Sequence, residues 1–572
     1  MNAALLLEHY ARIADAPDAI ARLRRFILDL AVRGKLVEQD AEDEPASDLL
    51  NRIFSERARL EKAGEAQKRK EVSPASEDAS FDLPQTWRWT RLGSITSYIQ
   101  RGKSPKYAEV DGVPVISQKC IQWSGLNIAA ARLITSQSLS TYEKIRFLRD
   151  GDLLWNSTGT GTIGRIVKIE HPPKNLVCDS HVTVVRCLEI NPEYVRTWLR
   201  SDHVYGGIEG RAAGSTNQVE LTAQMAVSQG VPLPPLAEQR RIVAKVDELM
   251  ALCDHLEAAH AEREHSRDRF VLSTLAKLNE PDPETFKADA RFALANLAPL
   301  TTRADQIKQL RQTILNLAVR GNLVEQDPNN EPAIEQLRRI GRAKSASQKA
   351  KQATRDAKGR PDAPDCAEHL PSGWARSTLG ELALSMRYGT SIKCERDVKG
   401  AAVLRIPNVS TGAIDLDDLK YGPLSEKEQA DLALEAGDLL MIRSNGSLAI
   451  VGRSAVVTPE AAGMSFAGYL VRVRLLREEI NPSFLWLSLN GTATRDAIEI
   501  PIRSAVGLKN VNLTEFGALK VLLPPFREQN RIVAKVDELM ALCDQLEASI
   551  TTSEQTRARL LEAVLHKSLE PA

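Results

Sequence analysis

The sequence predicts a mixed α+β protein: two domains with small twisted sheets, joined by two long helices that pack as an antiparallel coiled coil with pseudo-two-fold symmetry. Two observations lead to this fold class. The chain is internally duplicated, and its near-identical blocks follow a helical heptad pattern. The segments between those blocks differ from each other and contain short apolar runs that are typical of strands.

The duplication divides the chain into constant blocks and divergent inserts. RLRRFILDLAVRGKLVEQD, from Arg22, recurs as QLRQTILNLAVRGNLVEQD from Gln309, and the stretch 241–254 recurs unchanged as 531–544. The segments between these blocks share little beyond anchors such as Gly-Asp-Leu-Leu at 151–154 and 437–440. The predicted regions are an N-terminal conserved helical region (1–78), a first insert (79–235), a central conserved helical region (236–366), a second insert (367–525) and a distal conserved helix (526–572).

Apolar residues recur in alternating steps of four and three in the constant blocks that follow each insert. In the second copy they are Ile532, Val536, Leu539, Cys543, Leu546 and Ile550. This is a coiled-coil seam, and about 40 residues of helix would span roughly 60 Å. Two such seams pack most simply on each other. The alternative, in which each seam packs on its own domain, stays open at this point.

The inserts combine predicted strands with one helix start each. An Asn-Pro-x-aromatic motif follows the strands of both inserts, at Asn191 and Asn481, and is typical of a helix that opens with proline. The Lys- and Ala-rich stretches 57–72 and 342–365 are interpreted as solvated linkers rather than nucleic-acid-facing tails. The strands are predicted in 113–116, 152–155, 166–169, 182–186, 403–406, 438–442, 455–457 and 470–474.

Composition excludes several classes of protein. The formal net charge is +0, whereas a dedicated non-specific nucleic-acid binder is usually strongly basic. The 7 cysteines are scattered without a C-x-x-C motif, which argues against a disulfide framework and a zinc site. No signal peptide or membrane-length apolar run is recognisable, so we expect a cytoplasmic protein without membrane contact.

Three motifs imitate catalytic sites. Gly159–Gly164 matches G-x-G-x-x-G, but a predicted strand follows it where a dinucleotide site needs a helix, so we expect a tight hairpin loop. The Asn-Pro-x-aromatic motifs lack the second proline of adenine methyltransferases. The Asp-x-Lys motifs at Asp397 and Asp418 have only a Pro-rich segment upstream, which would not hold metal ligands rigidly. No phosphate-binding P-loop is present, and we expect no catalytic or metal site.

The constant blocks LAVRG-K/N-LVEQD and PP-L/F-x-EQ-x-RIVAKVDELM resemble those of type I restriction–modification specificity subunits, twice over and along nearly the whole chain. The resemblance implies two target recognition domains that each read half of a split site on double-stranded DNA. It also implies two methyltransferase (modification) subunits and restriction/translocase subunits as partners. S-adenosylmethionine, ATP and Mg are then expected on those partners, with no cofactor on this chain.

Four polar loops occupy matching places in the two inserts, and Arg, Lys, Asn and Gln are the side chains that contact phosphates and base edges. For each single residue, an exposed polar loop is an equally good interpretation. The candidates in the first insert are Gln100, Arg101, Lys103, Ser104, Lys106 and Tyr107; Gln118 and Lys119; Asn156, Thr158 and Thr160; Arg211, Ser215, Asn217 and Gln218. Those in the second are Arg387, Tyr388, Thr390, Ser391 and Lys393; Arg405 and Asn408; Arg443 and Asn445; Arg503, Lys509 and Asn510.

Identity between diverged halves also predicts a partner surface that occurs twice. A shared helix end and core is an equally good explanation of it. The candidate partner-binding residues are Arg33, Gly34, Gln239, Arg320, Gly321 and Gln529. Two other functions stay open: a self-contained DNA-modifying enzyme, and a coiled-coil scaffold without a DNA role.

Overall fold

The computed structural model describes residues 15–68, 81–159, 161–208, 220–280, 282–349, 370–396, 398–503 and 509–569. The chain forms two compact units, the first made of residues 1–263 with 553–572 and the second of residues 264–552. Neither unit matches a single predicted region, so the five-part division stays a prediction. In the described parts of the chain, no helix is long and apolar enough to cross a membrane.

Two helices dominate the constant blocks, and each runs through both units. The first long helix is Leu236–Asn279 and the second long helix is Phe526–Leu569, each 44 residues long. The first long helix begins in the first unit, and the second long helix begins in the second unit. The mixed α+β fold class is confirmed.

The heptad seams are buried or partly buried, and each belongs to an apolar cluster within its own unit. In the first unit, the seam shares one apolar cluster with the helix Ala19–Val32 and with the end of the second long helix. In the second unit, the other seam packs on the helix Ala304–Val319 and on the second insert. The alternative left open above therefore describes part of the packing. The first cluster includes Phe26, Leu30, Ile242, Val246, Cys253, Leu561 and Leu565.

The first insert is built on an antiparallel sheet with the strand order Thr96–Arg101, Val182–Cys187, Leu153–Asn156, Ile166–Lys168. A second sheet has the order Val177–Cys178, Val113–Ile116, Arg132–Ile134, Tyr107–Ala108. Two strand pairs complete it: Arg88–Arg91 with Gly230–Leu233, and Ile121–Gln122 with Gly125–Leu126. Its helices are Ser136–Leu139, Pro192–Arg200 and Ala223–Ser228, with 3-10 turns at Leu92–Ile95, Gln118–Cys120, Ile128–Ala130 and Lys144–Arg146.

The second insert also has a four-stranded main sheet, but its second sheet has three strands instead of four. Its main sheet has the order Ala383–Tyr388, Leu470–Leu475, Leu439–Ile442, Ser454–Val456, and a smaller sheet has the order Lys420–Gly422, Ala401–Leu404, Ser465–Phe466. Ala375–Thr378 pairs with Lys520–Leu523, and Ser444–Asn445 pairs with Lys509–Asn510. Its helices are Leu379–Leu382, Glu426–Leu432, Pro482–Asn490, Thr492–Arg503 and Leu513–Gly517, with 3-10 turns at Ile406–Asn408 and Pro459–Ala461.

Every strand predicted from the sequence lies at or within two residues of an observed strand, and the predicted proline-opened helices exist. Asn191 and Asn481 cap them, because each side-chain oxygen accepts the backbone N–H two residues on. The segment Gly159–Gly164 joins two antiparallel strands, which confirms the hairpin loop; Gly159, Gly161 and Gly164 have φ of 104°, 74° and 83°.

The remaining helices belong to the constant blocks. The linker interpretation is wrong for residues 57–63 and 342–349, because helices extend through them. The apolar faces of these helices pack on the inserts, which the Lys- and Ala-rich composition concealed. These helices are Ala46–Ala63 and Ala333–Lys349, and the connection to Ala304–Val319 contains Phe286–Ala295 and Leu297–Leu300.

Candidate nucleic-acid interface

Two of the four predicted loops in the first insert contact the turn 178–181, which joins its two larger sheets, and one of these two contacts a third loop. Nε of Arg101 donates to the carbonyl oxygen of Ser180 at 2.8 Å, and Oγ of Ser104 donates to Oγ of Ser180 at 3.0 Å. The Tyr107 hydroxyl donates to Oδ2 of Asp179 at 3.4 Å. The loop 100–107 is thereby fixed to a turn that lies more than 70 residues further along the chain.

The third loop also contacts this turn, and it contacts the second loop. The hydroxyl of Thr158 and Nδ1 of His181 are hydrogen-bonded at 2.7 Å, and the backbone N–H of Ser157 donates to the His181 carbonyl at 2.9 Å. Nδ2 of Asn156 donates to the carbonyl of Gln118 at 3.1 Å. The result is one polar surface, assembled from three loops, on which the His181 side chain is exposed.

A glycine allows this close approach in each insert. A Cβ built at Gly102 would lie 2.1 Å from the carbonyl oxygen of Asp179, and one at Gly389 would lie 2.1 Å from that of Phe466. Backbone atoms cannot yield as a flexible side chain could, so only glycine fits either position. Both inserts therefore use the same backbone crossing to bring the first loop against the turn.

A cleft of about 370 Å³ opens beside the first loop of the first insert. Its lining includes Gln100, Arg101, Lys103, Thr141, Glu143 and Arg146. Three cations and one carboxylate face this space, although Arg101 also forms an ion pair with Glu220. Nζ of Lys103 donates to the Thr141 carbonyl at 3.2 Å, which holds the exposed ammonium at the rim of the cleft. This arrangement favours an anionic ligand such as a phosphate.

Tyrosines around the cleft stay protonated and act as donors. Burial raises the pKa of Tyr142 to about 12, and its hydroxyl donates to the Lys103 carbonyl at 2.8 Å. Burial and the neighbouring Asp179 carboxylate raise the pKa of Tyr107 above its usual value. Burial likewise raises the pKa of Asp179, although the His181 backbone N–H, at 2.9 Å, partly offsets this shift.

The corresponding surface of the second insert carries different side chains. The guanidinium carbon of Arg443 lies 4.3 Å from the ring centroid of Tyr388, and its Nε donates to Oδ1 of Asn510 at 3.2 Å. The Arg443 backbone N–H donates to the carbonyl of Tyr469, at 2.9 Å, and the Tyr469 side chain is 62% exposed. The structure thus brings together three predicted residues and Tyr469, which the sequence did not single out.

Other predicted cations of the second insert are already paired with carboxylates. Arg387 pairs with Asp431 at 3.0 Å and Lys393 with Glu395 at 2.8 Å. Arg405 pairs with Asp418 at 2.9 Å; two arginines contact this carboxylate, and their hydrogen bonds lower its pKa. Contact with DNA would require each of these cations to exchange its carboxylate for a phosphate or a base.

Two predicted base-reading asparagines are buried, which contradicts the exposed position assumed for them. Oδ1 of Asn408 accepts the backbone N–H of Arg405 at 2.9 Å, and its Nδ2 donates to the Asp415 carbonyl at 2.9 Å. Asn156 is fully buried, and Thr158 is nearly so. These side chains shape their loops, because their donors are directed at backbone carbonyls or neighbouring side chains.

The remaining predicted residues fall into three groups. Lys106, Lys119 and Ser391 are exposed; Gln100, Gln118, Thr390 and Asn445 are partly buried. Thr160, Arg211, Ser215, Asn217 and Gln218 lie outside the described residues, as do the side chains of Arg503 and Lys509. The predicted DNA contacts as a set stay a prediction.

The assumption that the repeated Glu-Gln turns are exposed is wrong. Gln239 and Gln529 are fully buried; Oε1 of Gln239 accepts the Asn191 backbone N–H at 2.9 Å, and Oε1 of Gln529 accepts that of Asn481 at 2.8 Å. A buried amide that caps an insert helix is unavailable to a partner. Identity at this position reflects attachment of each insert to its long helix.

The preceding glutamates, Glu238 and Glu528, complete that attachment. Oε2 of Glu238 accepts the indole N–H of Trp87 at 2.9 Å, and Oε1 of Glu528 accepts that of Trp374 at 3.0 Å. Burial raises the pKa of both carboxyls, while the tryptophan hydrogen bonds partly offset the shift. In the sequence, the only indication of a role for Glu238 and Glu528 is their identity in the two copies. That identity does not distinguish a buried contact from a partner-binding surface.

The repeated Arg-Gly turns also have a structural explanation. Gly34 and Gly321 have φ of 69° and 76°, and a Cβ at either would lie within 2.6 Å of Cγ of a proline, Pro84 or Pro371. Nε of Arg33 donates to Oδ1 of Asp29 at 2.9 Å, and Arg320 donates to the carbonyl of Asn279. The helix-end interpretation therefore accounts for these four residues.

The residues that sequence reasoning missed form the 178–181 turn and its neighbours. Asp179, Ser180 and His181 connect the loops, and the guanidinium carbon of Arg132 lies 3.3 Å from the ring centroid of Tyr107. Strands of two or three residues bring these groups together, and such strands carry no periodicity in the sequence. In the described parts of the chain, no group of three His, Cys, Asp or Glu side chains is placed to hold a metal ion.

The sequence is similar to those of known proteins that share one family description. A family model described as the type I restriction modification DNA specificity domain matches residues 371–553. The EcoEI specificity subunit of the type I restriction enzyme from Escherichia coli is 29% identical over 579 residues, which cover 96% of this chain and 94% of that protein. The EcoAI specificity subunit from the same species is also 29% identical, covering 95% and 93%.

Further matches are more distant. The EcoKI specificity subunit from Escherichia coli strain K12 is 23% identical, over 85% of this chain and 89% of that protein. The crystal structure of the HsdS subunit from Thermoanaerobacter tengcongensis is 18% identical with a TM-score of 0.43, covering 86% of this chain and 98% of that one. The alignments with the EcoEI and EcoAI subunits cover nearly the whole of this chain.

Proposed function

Because the chain belongs to the specificity subunits of type I restriction enzymes, we propose that it recognises a two-part DNA site, with one half-site read by each insert. The constant blocks hold the inserts and bind the subunits that carry out the chemistry. The chain itself is then a non-catalytic DNA-binding subunit.

One observation carries this proposal: the two inserts share a backbone frame and differ in the side chains placed on it. Ser157 in the first insert and Arg443 in the second each donate a backbone N–H, at 2.9 Å, to the equivalent carbonyl, that of His181 or Tyr469. The side chains at those positions are a buried hydroxyl and a stacked guanidinium, an imidazole and a phenol. A repeated frame with unlike polar groups is what reading two different half-sites requires.

The electrostatics agree with a duplex ligand despite the neutral chain. The cationic cleft beside Arg101, Lys103 and Arg146 offers phosphate contacts, which position a protein on DNA without reading its sequence. Such local clusters bind a phosphate backbone even where the net charge is zero. In this proposal the phosphate contacts surround the turn 178–181, while exposed groups on the turn face the base edges.

The chemistry of the complex is assigned to other chains. Two modification subunits would bring S-adenosylmethionine and methylate adenine, and restriction subunits would use ATP and Mg to translocate and cut DNA. This assignment of tasks rests on family membership. It also rests on the sequence context of the three motifs that imitate catalytic sites, because that context does not support a catalytic site at any of them.

The exposed face of each long helix is our candidate for the contact with the modification subunit. Lys245, Glu248 and Leu252 lie three and four residues apart, on one side of the first long helix, and recur as Lys535, Glu538 and Leu542. Leu252 is 52% exposed and Leu542 38%. Burial explains the identity of Gln239 and Gln529, but it does not explain the identity of these exposed positions. A partner that binds once to each long helix is the better explanation.

Exchange of one insert tests the proposal. Residues 79–235 are replaced by the corresponding insert of the EcoAI specificity subunit, and methylated sites are mapped in cells that express the hybrid with the modification subunit. We expect one half-site to change and the other to stay. The reciprocal exchange of 367–525 is the control and should change the other half. A change in both half-sites, or in neither, would contradict the proposal.

Purification of the chain alone separates this function from the two alternatives. A self-contained enzyme would methylate or cut DNA without partners, and a scaffold would bind no duplex even with them. We expect no modification by the isolated chain, and selective duplex binding once the modification subunit is added. Catalysis by the chain alone would rule out the proposed division of tasks.

A further inference from the structure

The main chain at Arg443 is held by hydrogen bonds on both sides. Its backbone N–H donates to the Tyr469 carbonyl at 2.9 Å, and its carbonyl accepts the Val511 N–H at 2.8 Å. The next two residues pair with Lys509–Asn510. The main chain at Arg443 is therefore fixed from both sides, and its side chain leaves a stable edge.

The guanidinium itself is oriented by two neighbours. It lies over the ring of Tyr388, with Cζ 4.3 Å from the centroid, and its Nε donates to Oδ1 of Asn510 at 3.2 Å. Tyr388 is anchored in turn, because its hydroxyl accepts the Leu513 backbone N–H at 3.1 Å and its strand pairs with Val471. The ring contact and the Nε hydrogen bond together restrict how the guanidinium can turn.

The outer nitrogens of Arg443 remain available. Neither Nη1 nor Nη2 bonds to any residue that the structure describes, and no described carboxylate forms an ion pair with it. By contrast, Arg387, Arg405 and Arg474 are paired with Asp431, Asp418 and Asp438. A partly exposed guanidinium that is oriented by two neighbours, and whose outer donors have no partner among the described residues, can bind an adjacent pair of acceptors on a ligand.

Guanine is the base that fits this donor pair. On its major-groove edge O6 and N7 are adjacent acceptors that match two parallel N–H donors, whereas adenine places an N–H donor where guanine has O6. We infer that Arg443 reads one guanine in the half-site of the second insert, with Tyr388 and Asn510 as positioning residues. This inference rests on the proposed function and names the base that one residue recognises.

The first insert has no counterpart at this position. Ser157 occupies the equivalent place on the frame, is fully buried, and shares a hydrogen bond of 2.5 Å with the Thr183 hydroxyl. A buried hydroxyl that is already bonded cannot extend to a base edge. The guanine contact is therefore specific to the second half-site.

The test uses the complete complex of the chain with its modification subunit. The methylation map of the wild type first defines both half-sites, and binding is then measured on the cognate duplex and on duplexes that carry each other base at every guanine of the second half-site. For Arg443→Ala we expect a loss of about 10- to 100-fold on the cognate duplex, and less than about threefold on the duplex altered at the guanine that Arg443 reads. Thermal melting shows whether the variant is folded.

A base analogue and a second variant identify the atoms. Replacing that guanine with 7-deazaguanine removes N7, so it should weaken the wild type severalfold and leave Arg443→Ala unchanged. Arg443→Lys keeps the charge but loses the forked donor pair, so it should behave like the alanine variant. Arg396→Ala removes an exposed arginine of the second insert that is paired with Asp418 and is not among the predicted DNA contacts, so it is the matched control; it should not change the preference for guanine.

The other outcomes overturn the inference. Equal weakening on every duplex, rescued by lysine, would make Arg443 a phosphate contact. An unchanged affinity, or a second half-site without guanine, would also refute it while leaving the proposed function intact. A methylation map without a two-part site would instead refute the proposed function.

Discussion

The two inserts are most alike in their backbone crossings and least alike in the side chains placed on them. Gly102 and Gly389 occupy equivalent positions. A Cβ added to either glycine would lie 2.1 Å from a backbone carbonyl oxygen of the opposing segment. One residue before each glycine, the first insert has Arg101, tied to Ser180 and Glu220, and the second has Tyr388, which supports Arg443. Recognition can therefore diverge without a change of fold, because the positions that set the frame are separate from those that present chemistry.

The two constant blocks teach the opposite lesson. In both, a buried glutamate binds a tryptophan of the insert and a buried glutamine caps an insert helix. These contacts are repeated almost atom for atom, because they attach two unlike inserts to two like helices. At these buried positions, similarity between the halves therefore marks attachment, whereas differences between the inserts mark recognition.

The largest expected effect is on the shared frame. Gly102→Ala and Gly389→Ala should each destabilise their own insert by about 3 kcal/mol or more, because a backbone carbonyl must move to admit the methyl group. Chemical denaturation measures the loss, and methylation mapping should show that only the half-site of the altered insert is lost. Gly446→Ala is the control: nothing lies within 4 Å of its Cβ position, and we expect near-wild-type stability. A tolerated Gly389→Ala would show that the crossing is not a rigid part of the frame.

A smaller effect is expected where the inserts differ in charge. Lys103 lies at the rim of the cationic cleft, and the equivalent residue of the second insert is Thr390. Lys103→Thr should weaken binding to all duplexes alike and reduce the slope of log affinity against log salt by about 0.9, the contribution of one phosphate contact. Titrations of the complex from low to moderate salt measure this slope.

The matched control for that experiment is Thr390→Ala, which removes no charge and should leave the slope unchanged. If Lys103→Thr instead altered the preference at one base pair and left the slope intact, Lys103 would contact a base. The difference between the inserts would then concern reading and not affinity.

The sequence predicted the fold well because its signals were local. Heptad spacing identified both long helices, and runs such as Val182–Cys187 identified strands that are almost fully buried. It predicted the candidate surface only in part. Asp179 and His181 contact two of the predicted loops, but they lie in a short turn between two strands and resemble any polar turn in the sequence.

The predicted partner-binding residues Gln239 and Gln529 are buried, and the sequence did not reveal this for a different physical reason. Identity between two copies of Gln239 has two causes, burial and binding, and the sequence contains no measure of solvent exposure. Polar side chains are usually exposed, so binding was as good an explanation as burial, because a buried amide whose hydrogen bonds are satisfied is also stable. The structure separates the two causes, because Gln239 is fully buried whereas Leu252, in the same repeated block, is half exposed.

The smallest effect is a pH dependence that both constant blocks should share. Burial raises the pKa of Glu238 and of Glu528, so each carboxyl binds its proton more tightly in the folded chain than in the unfolded chain. The stability from this proton is fully present below the unfolded pKa and is lost as pH rises through the folded pKa. Glu238→Gln removes that loss, so the melting temperature of the variant relative to the wild type should increase as pH is raised from about 4 to 7. Trp87→Phe removes the indole N–H that favours the carboxylate, and it should make the dependence steeper.

Glu528→Gln should give the same curve, and the double variant should give the sum, because the two sites lie in separate units that share no partner. A relative stability that falls with pH in either single variant would show that the carboxylate stabilises its tryptophan contact by more than burial costs it, and that the two attachments are not equivalent.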